Sequence, residues 1–332
     1  MCAISSFEFK VSIVIPVFNA EKFIERAVES ALSQAETAEV ILVEDGSEDD
    51  SYEVCQSLNE NYERVQLYIH NGHINKGAGA TRNLGIQKAC FDYIAFLDAD
   101  DFYLENRFKE AKKVLQSTAD ADGVYEAIGV HFESSSEKKI WINKKNKRLI
   151  TTIEDGIDPD ELFWEQSPIG SKGYTSLDGL TIKKESLKKV GVFNPSLRLH
   201  QDTELFMKLA MACNLYPGQV NKPVAMRGVH SDNRITKTRP VEDSITNYKK
   251  MLNSAYEWAL ANGYTKEAES LKYLIKYSRI HRTSAINYNR SLVNLKQYLK
   301  TLRETPTIAL EGSFYINLLK FLLKYVWINV RK

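Results

Sequence analysis

Between Val11 and Phe132, short β-branched apolar runs alternate with segments whose apolar residues recur every three or four positions. Val11-Ser-Ile-Val-Ile-Pro-Val-Phe-Asn19 is the first run, ended by Pro16 and Asn19. Glu21 to Gln34 then sets Phe23, Ile24, Ala27, Val28, Ala31 and Leu32 along one side, which predicts a one-sided helix. Glu39 to Val43 reads as a second buried strand and runs into the acidic turn Glu44-Asp45-Gly46-Ser47. A helix over about Asp49–Asn59, a strand at Val65–Ile69, a helix over about Ala78–Ala89 and a strand at Tyr93–Leu97 follow, then a helix near Leu104–Gln116. Gly123 to Phe132 reads as one further strand, and Lys138 to Arg148, with six Lys or Arg around Trp141, as a solvated hairpin or loop. His200 opens a helix to about Cys213. From about Val241 onward the pattern is mostly helical, with Asn262-Gly263 as a stop signal.

Near-continuous apolar strands alternating with amphipathic helices predict an α/β fold, a mostly parallel sheet flanked by helices. In such sheets, ligands bind beyond the carboxyl ends of the strands. The polar residues of this chain cluster there. The expected division is residues 1–238 as the chemical unit and 239–332 as a C-terminal helical extension.

Composition adds mainly exclusions. A chain of 332 residues with 43% hydrophobic and 26% charged residues can bury a core without staples. The net charge of +1 lacks the basic excess of a nucleic-acid binder. Cys2, Cys55, Cys90 and Cys213 are far apart, which fits free thiols in a reducing compartment. Met1 to Lys10 lacks the features of a signal peptide, and no uninterrupted apolar run is long enough to span a bilayer, so the expected location is cytoplasmic. Phe314 to Val330 places Asn317, Lys320 and Lys324 on one helical stripe among apolar and aromatic residues. That pattern suits a peripheral membrane contact, and equally a helix packed on the catalytic unit or in a dimer.

The strongest chemical signal is Asp98-Ala99-Asp100-Asp101, directly after a buried strand. Three carboxylates there repel one another unless a positive partner sits among them, and Mg2+ or Mn2+ is the natural one. Asp101 alone has a structural alternative as a helix cap. Glu44-Asp45 is the second acidic strand end, able to accept hydrogen bonds from a nucleobase or ribose, or to form a plain Asp-Gly turn with Ser47 as cap. Asn75 to Asn83 lacks the third glycine of a dinucleotide fingerprint. It enters a helix where Lys76 and Arg82 can meet phosphate charge, or serves as a flexible entry loop. Asp202 lies in the first turn of its helix, where the dipole favours the ionised form. It fits a general base or a structural carboxylate. His230, in a polar loop, becomes a sensible metal ligand beside an Asp-x-Asp site.

Taken in order, Ser12-Ile-Val-Ile-Pro-Val-Phe-Asn19, Glu44-Asp-Gly-Ser47, the Asn75–Asn83 segment, Asp98-Ala-Asp100 and Gln201-Asp202 resemble the inverting family 2 glycosyltransferases of the GT-A (nucleotide-diphospho-sugar transferase) fold. The resemblance covers about Val11 to Thr236. It implies that Pro16, Val17 and Asn19 line a nucleotide pocket, that Asp45 with Glu44 reads uracil, and that Arg82 faces the ribose or diphosphate. It further implies that Asp98 and Ala99 meet the ribose or donor sugar, that Asp100 and His230 hold Mn2+ or Mg2+, and that Asp202 is the catalytic base. Gln201 stands where the family commonly has Glu. The implied activity is inverting transfer from a UDP-sugar to a hydroxyl of a glycan or lipid-linked acceptor, in bacterial surface-polysaccharide or lipopolysaccharide assembly. A nucleotidyltransferase would need a Gly-rich phosphate loop after the first strand, which Phe18-Asn-Ala-Glu-Lys22 does not supply. A catalytically silent nucleotide-sugar-binding scaffold would be marked by substituted metal or base positions, and Asp98, Asp100, Asp202 and His230 are all present.

Overall fold

The computed structural model describes residues 8–144, 149–153, 157–231 and 240–286. The strands are β1 (Val11–Val17), β2 (Thr37–Glu44), β3 (Val65–Ile69), β4 (Tyr93–Phe96), β5 (Phe102–Tyr103), β6 (Gly123–Tyr125), β7 (Ile128–Phe132), β8 (Leu180–Lys183), β9 (Leu215–Pro217) and β10 (Ala225–Val229). The helices are α1 (Ile24–Leu32), α2 (Ser51–Asn61), α3 (Ala78–Lys88), α4 (Lys109–Ser117), α5 (Ser135–Lys144), α6 (Leu162–Glu165), α7 (Lys184–Val190), α8 (Gln201–Ala212), α9 (Val241–Ala261) and α10 (Thr265–Ile286). A seven-stranded sheet runs β3-β2-β1-β4-β8-β6-β9, and a three-stranded sheet runs β5-β10-β7. The β3-β2-β1-β4 portion is parallel, and β8 pairs antiparallel with β4 and β6. This is the mostly parallel, helix-flanked α/β sheet that the alternation of patterns predicts.

β1 shows why the central strands read as unbroken apolar runs. Successive side chains point to opposite faces. Ile13 and Ile15 enter one core with α1, α2 and α4, while Val14 enters another with α8, α9 and α10. Both faces are covered, so no position is left to be polar except the strand ends. Ser12 is the buried exception, and it donates to Glu39 Oε1 at 2.6 Å at the end away from the acidic turns.

α3 lies hard against β1. A Cβ on Gly85 would overlap the Val14 side chain, and one on Gly79 would stand 3.1 Å from the Gln201 side chain. These glycines therefore set how closely α3 approaches the sheet and α8. On its other side α8 meets α9, and it is buried on most of its circumference. That explains two charged residues inside it: Glu204 and Lys208 pair at 3.1 Å, and Lys208 also donates to the Val192 carbonyl at 3.0 Å. α9 ends where Asn262-Gly263 predicts, with Gly263 at φ 84° and the Tyr264 amide returning to the Ala259 carbonyl at 2.9 Å.

Three segments differ from the sequence reading. Gly123–Phe132 is not one strand: β6 belongs to the large sheet and β7 to the small one. The break falls at Glu126, whose side chain turns inward to Arg107. Residues 135–144 form α5 instead of a loop, anchored by the buried Trp141 edge-on to Phe132 at 6.3 Å; residues 145–148 lie outside the described part. The helix expected near Leu104 begins at Lys109, because Phe102 and Tyr103 pair with β10 and the Asp101 side chain accepts from the Gly228 amide instead of capping. The Phe314–Val330 segment and the expected boundary at residue 238 also lie outside the described residues. Among the described residues, no helix is long and apolar enough to cross a membrane.

The close α3–β1 contact yields a test. Gly85→Ala is expected to cost about 1–3 kcal/mol by overpacking. In a Val14→Ala background the same substitution should cost less, since the overlapping methyl groups are gone. Urea unfolding of the four proteins of this cycle measures the coupling, and equal costs in both backgrounds would contradict the contact.

Candidate active site

The acidic turn after β4 is the centre of the site. Among the described residues, Asp98, Asp100 and Asp101 bring one carboxylate oxygen each to within 4.8 Å of one another. Each has a different partner. Asp98 forms a close ion pair with Arg82 of α3. Asp100 Oδ2 receives His230 Nε2 at 3.1 Å, and Asp101 accepts from the Gly228 amide at 2.8 Å. β10 thus supplies both the amide that fixes Asp101 and, just past its end, the imidazole that faces Asp100. Phe23 at the start of α1 stacks on that imidazole, with ring centroids 4.3 Å apart.

Behind the turn sits Asp178, in the 3-10 turn Leu177–Gly179 that leads into β8. It is 2% exposed; Oδ1 accepts from the Asp98 amide at 3.1 Å and Oδ2 from Ser176 Oγ at 3.2 Å. Burial, reinforced by Asp178, Asp100 and Asp98, pushes Asp101 well above the usual carboxylate range, against the pull of Arg227. Burial and Asp98 push Asp178 up as well, while Arg227 and a hydrogen bond with Asp101 pull it down. Asp101 and Asp178 thus form a buried acidic pair. Arg227, bound to Ser176 Oγ at 3.2 Å, is the guanidinium facing this pair.

The turn that carries Asp178 is clamped from the other side. Arg107 is fully buried, donates from Nε to the Asp178 carbonyl at 2.9 Å and from a terminal nitrogen to the Leu180 carbonyl at 3.1 Å, and pairs with Glu126 at 2.6 Å.

At the second acidic strand end, Asp45 binds the amides of Lys76 (2.7 Å) and Gly77 (2.9 Å), one with each carboxylate oxygen. It thereby pins the entry to α3 beside the end of β1, where its own amide donates to the Val17 carbonyl at 2.9 Å. Glu44 is fully buried and accepts from the amides of Gly46 and Ser47 at 3.0 and 2.6 Å, with His73 in close contact. Burial alone would raise its pKa, but the bonds from Ser47, Gly46 and His73 outweigh it and hold the group below 4.5. Asn19, at φ 51°, accepts from the Glu48 amide at 2.9 Å, so the ends of β1 and β2 are tied together.

Pro16 and Val17 pair with Val43 and Glu44 at this edge, while Ala99 is buried between Asp98 and Asp100 in the chain. Asp202, at the start of α8, is exposed, bonds only locally to the Thr203 amide at 2.8 Å, and acts on the Arg82 charge. Arg82 is paired with Asp98 and also feels the charge of Asp202. Sequence reasoning did not single out Asp178, Arg227, Arg107 or Arg198. The last crosses to the α3 entry, where its guanidinium covers Gly77 and meets Asn75 Oδ1 at 3.3 Å. Arg227 carried a signal in its place at the head of the His230 loop. Asp178 and Arg107 carried none, because buried polar residues interrupt no apolar period there.

Hard carboxylate oxygens from Asp98, Asp100 and Asp101, with an imidazole facing one of them, form a donor set that fits Mg2+ or Mn2+.

The state of Glu44 can be checked by titration. Its folded pKa lies below the 4.5 of the free group, so its contribution is complete above about pH 4.5 and is lost as pH falls through the folded value. Glu44→Gln is expected to lower stability at pH 7 by about 1–3 kcal/mol and to flatten the acid limb of a urea-midpoint profile. Parallel acid limbs in the two proteins would show that Glu44 is not held ionised.

Comparison with known proteins meets this geometry. The Glycosyl transferase family 2 model matches residues 12–163. A Haemophilus influenzae protein described as an uncharacterized glycosyltransferase is 39% identical over 101 residues, 30% of this chain and 40% of that protein. Glycosyltransferase GlyA of Streptococcus pneumoniae is 23% identical over 299 residues, 83% of this chain and 42% of that protein. The chain thus spans about two fifths of each of these relatives. A second Haemophilus influenzae protein, also described as an uncharacterized glycosyltransferase, is 24% identical over 93% of this chain and 98% of its own length. Among solved structures, Staphylococcus aureus TarS residues 1–349 with UDP-GlcNAc aligns at a TM-score of 0.61 and 16% identity, covering 88% of this chain and 79% of TarS. That likeness concerns the fold. The segment 12–163 thus matches the Glycosyl transferase family 2 model, on a fold of the GT-A type.

Proposed function

We propose that the protein transfers a sugar from a UDP-sugar to a hydroxyl of a glycan or lipid-linked acceptor, with inversion at the anomeric carbon and with a divalent cation, Mn2+ or Mg2+. The observation that carries this reading is the set of Asp98, Asp100 and Asp101 oxygens within 4.8 Å, with His230 facing Asp100. Residues 1–238 form the catalytic unit in this reading and 239–332 its helical extension. The work is cytoplasmic, in assembly of a bacterial surface polysaccharide or lipopolysaccharide, with membrane contact through 314–330. Crystals of TarS with UDP and with UDP-GlcNAc support a uridine donor.

Asp100 and His230 hold the cation, which when bound offsets charge on the departing diphosphate. Asp45 fixes the α3 entry beside the end of β1, so that Pro16, Val17, Asn19 and Glu44 border the nucleoside side of the cleft. Arg82, held by Asp98, turns toward the ribose or diphosphate, and Asp98 and Ala99 border the donor sugar. Asp202 takes the proton of the acceptor hydroxyl. The hydroxyl oxygen then bonds to the anomeric carbon as the carbon–oxygen bond to the diphosphate breaks, and UDP leaves with that electron pair. Attack from the face opposite the leaving group inverts the centre.

Two measurements test this. Calorimetry of UDP with and without Mn2+ should show metal-dependent binding that Asp100→Ala removes; no nucleotide binding by a folded wild type would overturn the transferase reading. Asp202→Asn should retain UDP binding while lowering kcat by about 100-fold or more, as expected for loss of a general base. Turnover within a few-fold of wild type would exclude Asp202 from that role.

A further inference from the structure

We infer that Asp178 is a positioning residue, which sets the acidic turn for cation binding by accepting the Asp98 backbone amide. The inference rests on the metal-dependent reading above and adds to it a residue outside the ligand set. Asp178 Oδ1 takes the Asp98 amide at 3.1 Å, so the chain direction entering Asp98-Ala99-Asp100 depends on where that oxygen stands. Two independent holds fix its place. Ser176 Oγ binds Oδ2 at 3.2 Å, and the buried Arg107 guanidinium binds the main-chain carbonyls of Asp178 and Leu180 at 2.9 and 3.1 Å.

Arg107 is itself fixed by Glu126 at 2.6 Å and by Thr181 Oγ1 at 3.3 Å. The clamp therefore joins β8, the end of β6 and the start of the β4 acidic turn through one rigid guanidinium. A purely structural need at this point would be met by any small acceptor, at less desolvation cost than a carboxyl set beside three others. The carboxyl instead supplies acceptors on two sides, one for the turn and one for Ser176. It also faces Arg227, which links the same turn to β10 and hence to His230. Removing it frees the Asp98 amide, and the two ligand-bearing arms, after β4 and after β10, lose their common reference.

The prediction separates placement from charge. Asp178→Asn keeps an oxygen for the Asp98 amide, whereas Asp178→Ala removes it. The Mn2+ concentration for half-maximal UDP binding, followed by calorimetry, should rise about 10- to 100-fold in Asp178→Ala, the range found for partners that orient metal ligands. It should stay within about threefold of wild type in Asp178→Asn. Uridine binding without metal should be the same in all three, which a general loss of structure would not allow. If Asp178→Ala does not fold, Asp178→Ser, too short to reach the amide, should show the same rise. An unchanged Mn2+ requirement in Asp178→Ala or Asp178→Ser overturns the inference, as does an Asp178→Asn protein as weakened as the alanine variant. Absence of metal-dependent UDP binding in the wild type is a separate result, which overturns the functional reading and the inference together.

Discussion

Carboxylates of Asp98, Asp100 and Asp101 crowd the end of β4, with Asp178 directly behind them. In a partly desolvated turn their mutual repulsion and lost hydration are unfavourable unless each charge is answered. The fold answers them from three directions. α3 brings Arg82 to Asp98, β10 brings Arg227 toward Asp101 and Asp178, and the residue before the 177–179 turn brings the Ser176 hydroxyl to Asp178. Asp100, 31% exposed at its side chain, is left facing His230. The small three-stranded sheet exists beside the large one to deliver this second arm: β5 continues the acidic turn, and β10 lies across it.

Arg107 and Glu126 show the same economy deeper in the protein. A buried ion pair is weak evidence of stability, because dehydrating both charges offsets much of their attraction. What it does supply is direction. A planar guanidinium with several fixed donors specifies where two carbonyls, a hydroxyl and a carboxylate must stand. Its demand for Glu126 interrupts the strand between β6 and β7, and so moves the chain from one sheet to the other. One buried pair thus accounts for both a break in the fold and the placement of the 177–179 turn.

The sequence made the central architecture legible wherever one physical rule dominated. The strands β1, β2 and β4 are buried on both faces, so apolar runs reported them, and Asp98-Ala99-Asp100-Asp101 stood out because three carboxylates follow a buried strand directly. Legibility failed where distant partners decide. The Gly123–Phe132 run has strand character throughout, and only the inward Glu126 divides it. Trp141 turns a basic segment into a helix by finding Phe132. Asp101 matched a cap by local spacing but is claimed by Gly228, 127 positions along the chain. Asp178 and Arg107 belong to the same class, since their meaning lies in contacts with residues 71 to 80 positions away. Asp45 shows a subtler case. Its strand-end place was readable, but the two amides that occupy its oxygens come from a loop whose path the local sequence does not dictate.

Asp202 raises the question of how an exposed carboxylate is held to a direction. It makes only a local bond, to the Thr203 amide, so its aim depends on the rotation of α8 about its axis. That rotation is fixed by the residues beside it. Gln201 contacts the space above Gly79 and donates to the Leu197 carbonyl, and Glu204 is tied to Lys208 within the helix and accepts from Ser254 of α9 at 2.8 Å. Ser254 in turn receives Asn194 at 2.9 Å, and Lys208 holds the Val192 carbonyl, so the loop before α8 is locked to the same frame. A shift of one residue turns an α-helix by about 100°, which would carry Asp202 away and put Gln201 or Thr203, neither of them a carboxylate, in its place. Through Ser254, α9 thus helps to fix the helical phase that sets the Asp202 charge against Arg82.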